Sequence, residues 1–348
     1  KDNLYSVSII NAIGEWNEYK KNAEKNLFFI DLFEKNFTKF ILKGGFIKSR
    51  LSYIFIFIIS LPKLLTIINK KKPDYLIIHL ITSLPIFLSP FFNNKTKIIL
   101  RLSGLPKLNL FRKIFWKLYS KKIYKVTCPT QSTLETIKKY KIFDIEKVTL
   151  LRDPIINVKD IKFNINHKLD KKIQNEKYIL GIGRLTQQKN FKLLLKFFYE
   201  LHKKYPEYKL YILGEGEDRH ELNSIINKYG LTAEAHLLGY QDNIFKYLRH
   251  AECFILSSLW EDPGFVLIEA GVMNTNIISS NCPNGPKEII CNEDFLFSNN
   301  SSNDLLKKFE IFKKKTTDEL FIQKINIKKR SRFYTSFQHF KNLNNILN

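Results

Sequence analysis

An apolar run, Cys253-Phe254-Ile255-Leu256, reads as a buried strand. Asp262-Pro263-Gly264 is turn chemistry and halts it. From Phe265 the apolar spacing turns helical, with Phe265, Ile268, Ala270 and Val272 near one side. Strand, loop and helix in that order form the repeating unit of an α/β sheet, and in open α/β sheets ligands bind at the carboxyl ends of the strands. Two glutamates bracket the loop, Glu261 within it and Glu269 in the second turn of the helix. At the helical rise, Glu269 lies about 7 Å along the axis from the helix start. Both carboxylates can therefore reach one bound molecule. The N–H groups near Gly264 and Phe265 point out of the helix start and suit an anion such as a phosphate. The alternative is structural: one acidic residue near a helix start, favoured by the dipole, and another on a solvated face.

The same alternation recurs along the chain. Tyr5 to Ile10, Asn26 to Phe33, Asp74 to Leu80 and Lys97 to Leu102 are predicted strands. Leu51 to Leu61 is intensely apolar, stops at Pro62-Lys63, and resumes as Leu64 to Ile68. Its uninterrupted part is too short to span a bilayer, which needs about 20 residues, so a buried or membrane-surface helix is expected. Lys70 to Lys72 place positive charge at its end, as a helix C-terminus prefers. Phe111 to Ser120 alternates basic and aromatic residues and is expected as an amphipathic basic helix. Lys125 to Thr130 leads as a strand into a helix capped near Thr130 or Ser132. This half reads as a parallel, doubly wound domain. Residues 153–177 are polar and Lys-rich without helical or strand period, and are expected as a linker.

Tyr178 to Leu185 opens the second half. Gly181-Ile182-Gly183 alone shows only a backbone bending closely around something. Arg184 and Lys189 flank the short loop Thr186-Gln187-Gln188 ahead of an apolar helix from Phe191. Two fixed cations at a strand-to-helix loop suit a diphosphate; the alternative is two solvated cations in a Lys-rich protein. Lys209 to Gly216 repeats the theme through Gly214, too briefly for a dinucleotide fingerprint. Ala235 to Tyr240 is the next strand, and Ile277 to Ile290 runs from a strand into a Pro/Gly turn cluster.

The 348 residues suffice for two domains. The chain opens on Lys1-Asp2-Asn3, with no Met and no signal-peptide pattern, and reads as an interior start. Cys128, Cys253, Cys282 and Cys291 have no zinc or redox spacing and are expected as reduced thiols in a cytoplasmic protein. Net charge is +24 and unevenly spread: residues 1–150 hold 27 Lys+Arg against 10 Asp+Glu, so +17, and the remainder carries +7. An AT-rich genome would produce such a Lys-, Asn- and Ile-rich mixture; the functional reading is attraction to an anionic surface.

Glu261, seven residues, then Glu269, with Pro263-Gly264-Phe265 inside and Glu269-Ala270 at the end, resembles the donor-site signature of retaining glycosyltransferases of family 4, the "group 1" nucleotide-sugar enzymes. Gly183-Arg184-Leu185, three residues, then Lys189 is similar to the family's first glycine loop, and Gly214-Glu215-Gly216 to its second. The Pro283 to Ile290 cluster resembles its closing loop, in the form found in capsule, lipopolysaccharide and glycan-lipid assembly enzymes. The resemblance covers the second half almost entirely and the first more weakly. It implies an α/β, GT-B fold: two Rossmann-like doubly wound domains facing across a cleft. Residues 1–152 would be the acceptor-side domain, 153–177 the linker, 178–331 the nucleotide-sugar donor domain, and 332–348 a helix returning to the first domain. By resemblance, Glu269 holds the ribose hydroxyls, Glu261 contacts the donor sugar, and Arg184, Lys189 and the Gly264 and Phe265 amides hold the diphosphate. The glycine loops at Gly183 and Gly214 complete the donor side, and Tyr240 ends the strand where the base stacks. Where many members carry His-Gly, this chain has Ser103-Gly104, with Arg101 two residues earlier. Ser103, Arg101 and His79 are the candidates on the sugar and acceptor side; the alternative for His79 is a strand-end histidine satisfied by local partners. The family's amino-terminal Gly-Gly loop is not found, which an interior start would explain.

The implied activity is hexosyl transfer with retention from a nucleoside-diphosphate sugar to a glycan or lipid-linked acceptor, without cofactor or metal. The expected location is cytoplasmic, peripheral on the inner face of the plasma membrane, against an anionic membrane surface. A nucleotide-sugar epimerase shares the two-lobe fold, but brings additional cleft carboxylates and histidines in which this chain is poor. A basic nucleic-acid-binding protein would use the charge, but no RNP, zinc-finger or basic-helix motif is present, and no nucleic-acid partner is expected. A non-catalytic sugar-binding lobe is opposed by the presence of Glu261, Arg184, Lys189 and Glu269 together.

Overall fold

The computed structural model describes residues 5–12, 14, 16–22, 27–33, 46–79, 83–92, 95–106 and 108–348. The opening Lys1-Asp2-Asn3, Asn26 and Leu80 lie outside them. The chain forms two compact units: Lys1–Arg101 with Leu110–Tyr124, and Leu102–Asn109 with Lys125–Asn348. The division does not coincide with the boundary expected at residue 152.

In the first unit, β1 (Ser8–Asn11) and β2 (Phe28–Asp31) pair in parallel, with α1 (Asn17–Asn22) between them. Asn11 is buried, and its amide donates to Asn17 and Asp31 at 2.8 Å each. Next comes α2 (Phe46–Lys71), a single helix that continues through Pro62. A proline there lacks an N–H and crowds the preceding turn. Packing outweighs this: Ser52, Ile56, Ser60, Leu64 and Ile68, four residues apart on both sides of the proline, form one buried face. Beyond it, β3 (Tyr75–His79) and β4 (Lys97–Arg101) pair in parallel, separated by α3 (Ser83–Leu88), and α4 (Leu110–Tyr119) follows. Among the described residues no helix is long and apolar enough to cross a membrane.

Strand β5 (Ile123–Cys128) carries the chain into the second unit. There α5 (Gln131–Lys139) is capped by Thr130, whose hydroxyl accepts from the Thr133 N–H, and β6 (Val148–Leu150) pairs in parallel with β5. The expected linker is partly helical, with α6 (Val158–Asn164) and α7 (Lys171–Gln174) capped by Asn157 and Asp170. Side-chain caps and the buried anchors Ile156 and Leu169 stabilise turns too short to show a sequence period.

The remaining strands are β7 (Lys177–Ile182), β8 (Tyr208–Leu213), β9 (Ala235–Gly239), β10 (Cys253–Leu256), β11 (Ile277–Ser280) and β12 (Leu296–Phe297). Between them run α8 (Phe191–Lys204), α9 (Arg219–Lys228), α10 (Phe245–His250), α11 (Phe265–Val272) and α12 (Pro286–Ile290), followed by α13 (Ser302–Lys314), α14 (Thr317–Ser331) and α15 (Ser336–Leu347). All six strands are parallel, in the order β12-β11-β10-β7-β8-β9. Counted from β7 this is 3-2-1-4-5-6, the doubly wound order whose reversal point lies between its first and fourth strands, here β7 and β10. Every residue of β10 is buried, which explains its unbroken apolar run. Tyr178, Phe197, Phe198, Tyr208, Phe254 and Phe309 are among the largest side chains of the core.

The buried face of α11 is Leu267, Ile268, Ala270 and Gly271, and Phe265 is exposed, contrary to the stripe expected from Phe265 to Val272. The reason is a close approach by α14. A Cβ on Gly271 would come within 2.4 Å of Ser331 Oγ, so the helix packs through its glycine.

Candidate active site

The two loops at the reversal point are bound to each other. Ser257 Oγ donates to the Lys189 carbonyl at 2.7 Å, and Leu259 N–H to the Gln188 carbonyl at 2.8 Å. The Gln188 amide donates to the Trp260 carbonyl at 2.9 Å. This ladder brings Lys189 Nζ to 2.5 Å from Glu261 Oε1, which also accepts from Ser258 Oγ at 2.5 Å. Both members of the pair are largely buried. Lys189 thus meets an internal carboxylate as well as facing the loop it was expected to serve. Arg184, in the same loop, is exposed and has no ion pair or side-chain hydrogen bond among the described residues.

The glycine loops are set by contact between backbones. Gly183 N–H donates to the Leu213 carbonyl at 3.0 Å, and a Cβ on Gly214 would lie 1.9 Å from the Gly183 carbonyl oxygen. With φ of +133°, Gly214 tolerates no side chain for both reasons. Tyr240, just past β9, is 72% exposed.

Gly264, at φ +95°, is the N-cap of α11. The N–H groups of Gly264 and Phe265 donate to no acceptor among the described residues. One turn on, burial pushes the Glu269 carboxyl up to about 7. No hydrogen bond or ion pair engages that carboxyl among the described residues. The second turn of α11 therefore holds a half-buried acid with its oxygens unclaimed.

On the other side of the reading, His79 and Arg101 are register partners at the carboxyl ends of β3 and β4 in the first unit. Ser103 is exposed in the second unit. Sequence reasoning missed Asp262, taken only as a turn residue. Its carboxylate accepts from Leu105 N–H at 2.7 Å, Thr133 Oγ at 2.9 Å and Thr130 Oγ at 3.1 Å. It also missed Glu288, which accepts from the Gln131 and Ser132 N–H groups at 3.1 and 2.8 Å. The cap at Thr130 was the signal that could have found them, since a buried helix start needs acceptors for its free N–H groups.

Residues 163–332 match the model of the family "Glycosyl transferases group 1". An uncharacterized glycosyltransferase of Methanocaldococcus jannaschii is 35% identical over 250 residues, covering 66% of this chain and 61% of that protein. A Campylobacter jejuni 4-alpha-N-acetylgalactosaminyltransferase, named for a diphospho-undecaprenol-linked acceptor, is 27% identical over 59% of this chain and 56% of its own length. The chain therefore spans less than two thirds of either relative. A solved glycosyltransferase from Rickettsia africae superposes with a TM-score of 0.75 at 17% identity, covering 97% of this chain and 89% of that one. HepE of Anabaena, solved in complex with UDP, gives 0.72 at 12% identity over 99% of both chains. The fold is GT-B, and the matched segment is similar to a glycosyltransferase domain.

Proposed function

We propose that this chain is a retaining, family 4 glycosyltransferase that moves a hexose-type sugar from a nucleoside-diphosphate sugar to a glycan or lipid-linked acceptor in cell-surface polysaccharide assembly. The observation that carries the reading is the placement, at the reversal point of the six-stranded sheet, of the Lys189–Glu261 pair, the exposed Arg184, the open Gly264 and Phe265 amides and the unclaimed Glu269 carboxyl. Departure of a nucleoside diphosphate builds negative charge on its leaving oxygen. Preplaced donors and cations stabilise such charge without reorganising during the reaction. Arg184 and the two amides supply that stabilisation, Lys189 shares its charge between Glu261 and the phosphate, and Glu261 orients the sugar. Glu269 accepts from the ribose hydroxyls, and Tyr240 offers its ring to the base. His79, Arg101 and Ser103 serve the sugar and acceptor side. No metal is assigned a role. The chain works at the cytoplasmic face of an anionic membrane, where a lipid-linked acceptor is met.

The test is incubation with a panel of nucleotide sugars and read-out of released nucleoside diphosphate by mass, with and without chelator. Release from one donor, undiminished by chelator, is expected. No release from any donor overturns the reading; release that chelator abolishes and magnesium or manganese restores overturns its metal-free part.

A further inference from the structure

The loop that carries Glu261 holds a second carboxylate beside it, and the donor reading gives that group no task. Asp262 accepts three hydrogen bonds from segments 129 to 157 residues earlier in the chain. The space around it is tight, since a Cβ on Gly104 would lie 3.3 Å from Asp262 Oδ2. Thr130 and Thr133 are fully buried. The other groups at the start of α5 are already satisfied: Glu288 takes the Gln131 and Ser132 N–H groups, Thr130 takes that of Thr133, and Ser132 Oγ donates to Asn284 at 2.9 Å. Thr130 Oγ also donates to Thr133 Oγ at 3.0 Å, so Asp262 is the charged acceptor shared by this buried hydroxyl pair and the Leu105 N–H. Its oxygens are occupied by these donors, so its part lies in holding the loop rather than a ligand.

We propose that Asp262 is a positioning residue, whose carboxylate clamps the 261–264 loop to Leu105 and the first turn of α5 and so sets Glu261 and the start of α11 for a nucleoside diphosphate. The proposal rests on the donor reading above. It assigns a cause to the loop shape which the Lys189–Glu261 pair does not supply: that pair joins the loop to the β7 side, whereas Asp262 joins it to the segments after β4 and β5.

The clamp is strongest with an ionised carboxylate, because protonation removes the charge assistance from its three hydrogen bonds and turns one acceptor oxygen into a donor, leaving a hydroxyl to reverse its own bond. Burial, outweighing the three hydrogen bonds, pushes Asp262 up to about 6, with Asp153 adding repulsion. Cys128, whose thiol is pushed up by burial and by Asp262, also lies near it, and Glu261 adjoins it in sequence.

The experiment measures UDP, GDP and ADP affinity by calorimetry at pH 7.5 and 5.5, with melting temperature in parallel, for wild type, Asp262→Asn, the double variant Thr130→Val/Thr133→Val, and all three changes combined. At pH 7.5, Asp262→Asn and the threonine variant should each bind the preferred nucleotide about tenfold more weakly, as loss of a hydrogen bond to a charged group implies. Combining the changes should add little. At pH 5.5, where Asp262 is mostly protonated, the gap between wild type and Asp262→Asn should narrow to about threefold. Glu269 and the nucleotide phosphate titrate in the same window, but in both proteins, and so cancel from that gap. Should Asp262→Asn fail to fold, the nearly isosteric threonine variant carries the comparison. Unchanged affinity in folded variants, or a gap equal at both pH values, overturns the clamp and leaves the donor reading standing. A wild type that binds none of the three nucleotides overturns both.

Discussion

Lys189 Nζ lies 2.5 Å from Glu261 Oε1, with the two side chains only 15% and 6% exposed. Truncating one member of such a pair leaves the other charge buried and unmatched, a loss of about 3 kcal/mol or more. Lys189→Ala and Glu261→Ala should each destabilise the chain by that order, and the double variant by clearly less than the sum. Urea denaturation measures this. Additive losses would mean that the two charges do not stabilise one another.

Because Lys189 is already matched by Glu261, Arg184 is the cation of this loop that has no ion pair among the described residues. Its removal separates binding from stability. Arg184→Ala should leave the unfolding midpoint nearly unchanged, since this exposed side chain makes no ion pair or hydrogen bond among the described residues. Nucleoside-diphosphate affinity should fall by roughly 1.5–3 kcal/mol, the range for a charge-assisted hydrogen bond. Calorimetry that finds equal affinity for wild type and variant removes Arg184 from the site.

Glu269 gives a pH signature. Burial raises its carboxyl from 4.5 to about 7. Between those values the folded chain holds a proton that the unfolded chain has lost, so this group's contribution to stability is full below about 4.5 and declines as pH rises through 7. Glu269→Gln abolishes that decline. The variant should therefore gain stability relative to wild type on going from pH 5 to pH 8, by up to about 3 kcal/mol. Thermal unfolding at the two pH values decides; an equal difference at both places the titration elsewhere.

Much of the second unit was legible in the sequence because parallel strands buried on both faces read as plain apolar runs, and the loops after them carry Gly, Pro and paired charges. Cys253 to Leu256 forms the predicted strand, and the loop carrying Lys189 meets the loop carrying Glu261. What the sequence hid was partnership across distance. Nothing local marks Asp262 as the acceptor for Thr130, Thr133 and Leu105, because a turn aspartate looks the same whether it caps its own turn or a helix 130 residues away. The continuous α2 was hidden differently: Pro62 is a local signal to stop, overruled by a buried face that only tertiary packing reveals. Phe265 was misplaced because periodicity gives spacing, while the side that meets α14 is set by the missing side chain of Gly271.

The last prediction concerns the first unit. Trp116 is buried and anchors one side of α4, while Leu110, Phe111, Ile114 and Leu118 are 53–79% exposed. Arg112, Lys113 and Lys117 are exposed on the same helix, and Lys121 and Lys122 follow it. From Tyr75 to Leu134 the chain contains no acidic residue and ten Lys or Arg. An exposed apolar stripe flanked by cations is the composition of an interfacial helix, and each basic residue near an anionic leaflet contributes about 1 kcal/mol. Genome-wide Lys bias would charge both halves alike, whereas residues 1–150 carry +17 of the +24. Liposome co-sedimentation should therefore show binding to anionic and not to neutral vesicles, weakened by high salt and by Arg112, Lys113 and Lys117 to Glu. Leu110, Phe111 and Leu118 to Ser should weaken it independently of salt, because that part of the attraction is burial of apolar surface. Indifference to both vesicle types would leave a soluble acceptor as the better reading, and sensitivity to the charge changes alone would mean that α4 lies above the headgroups without entering them.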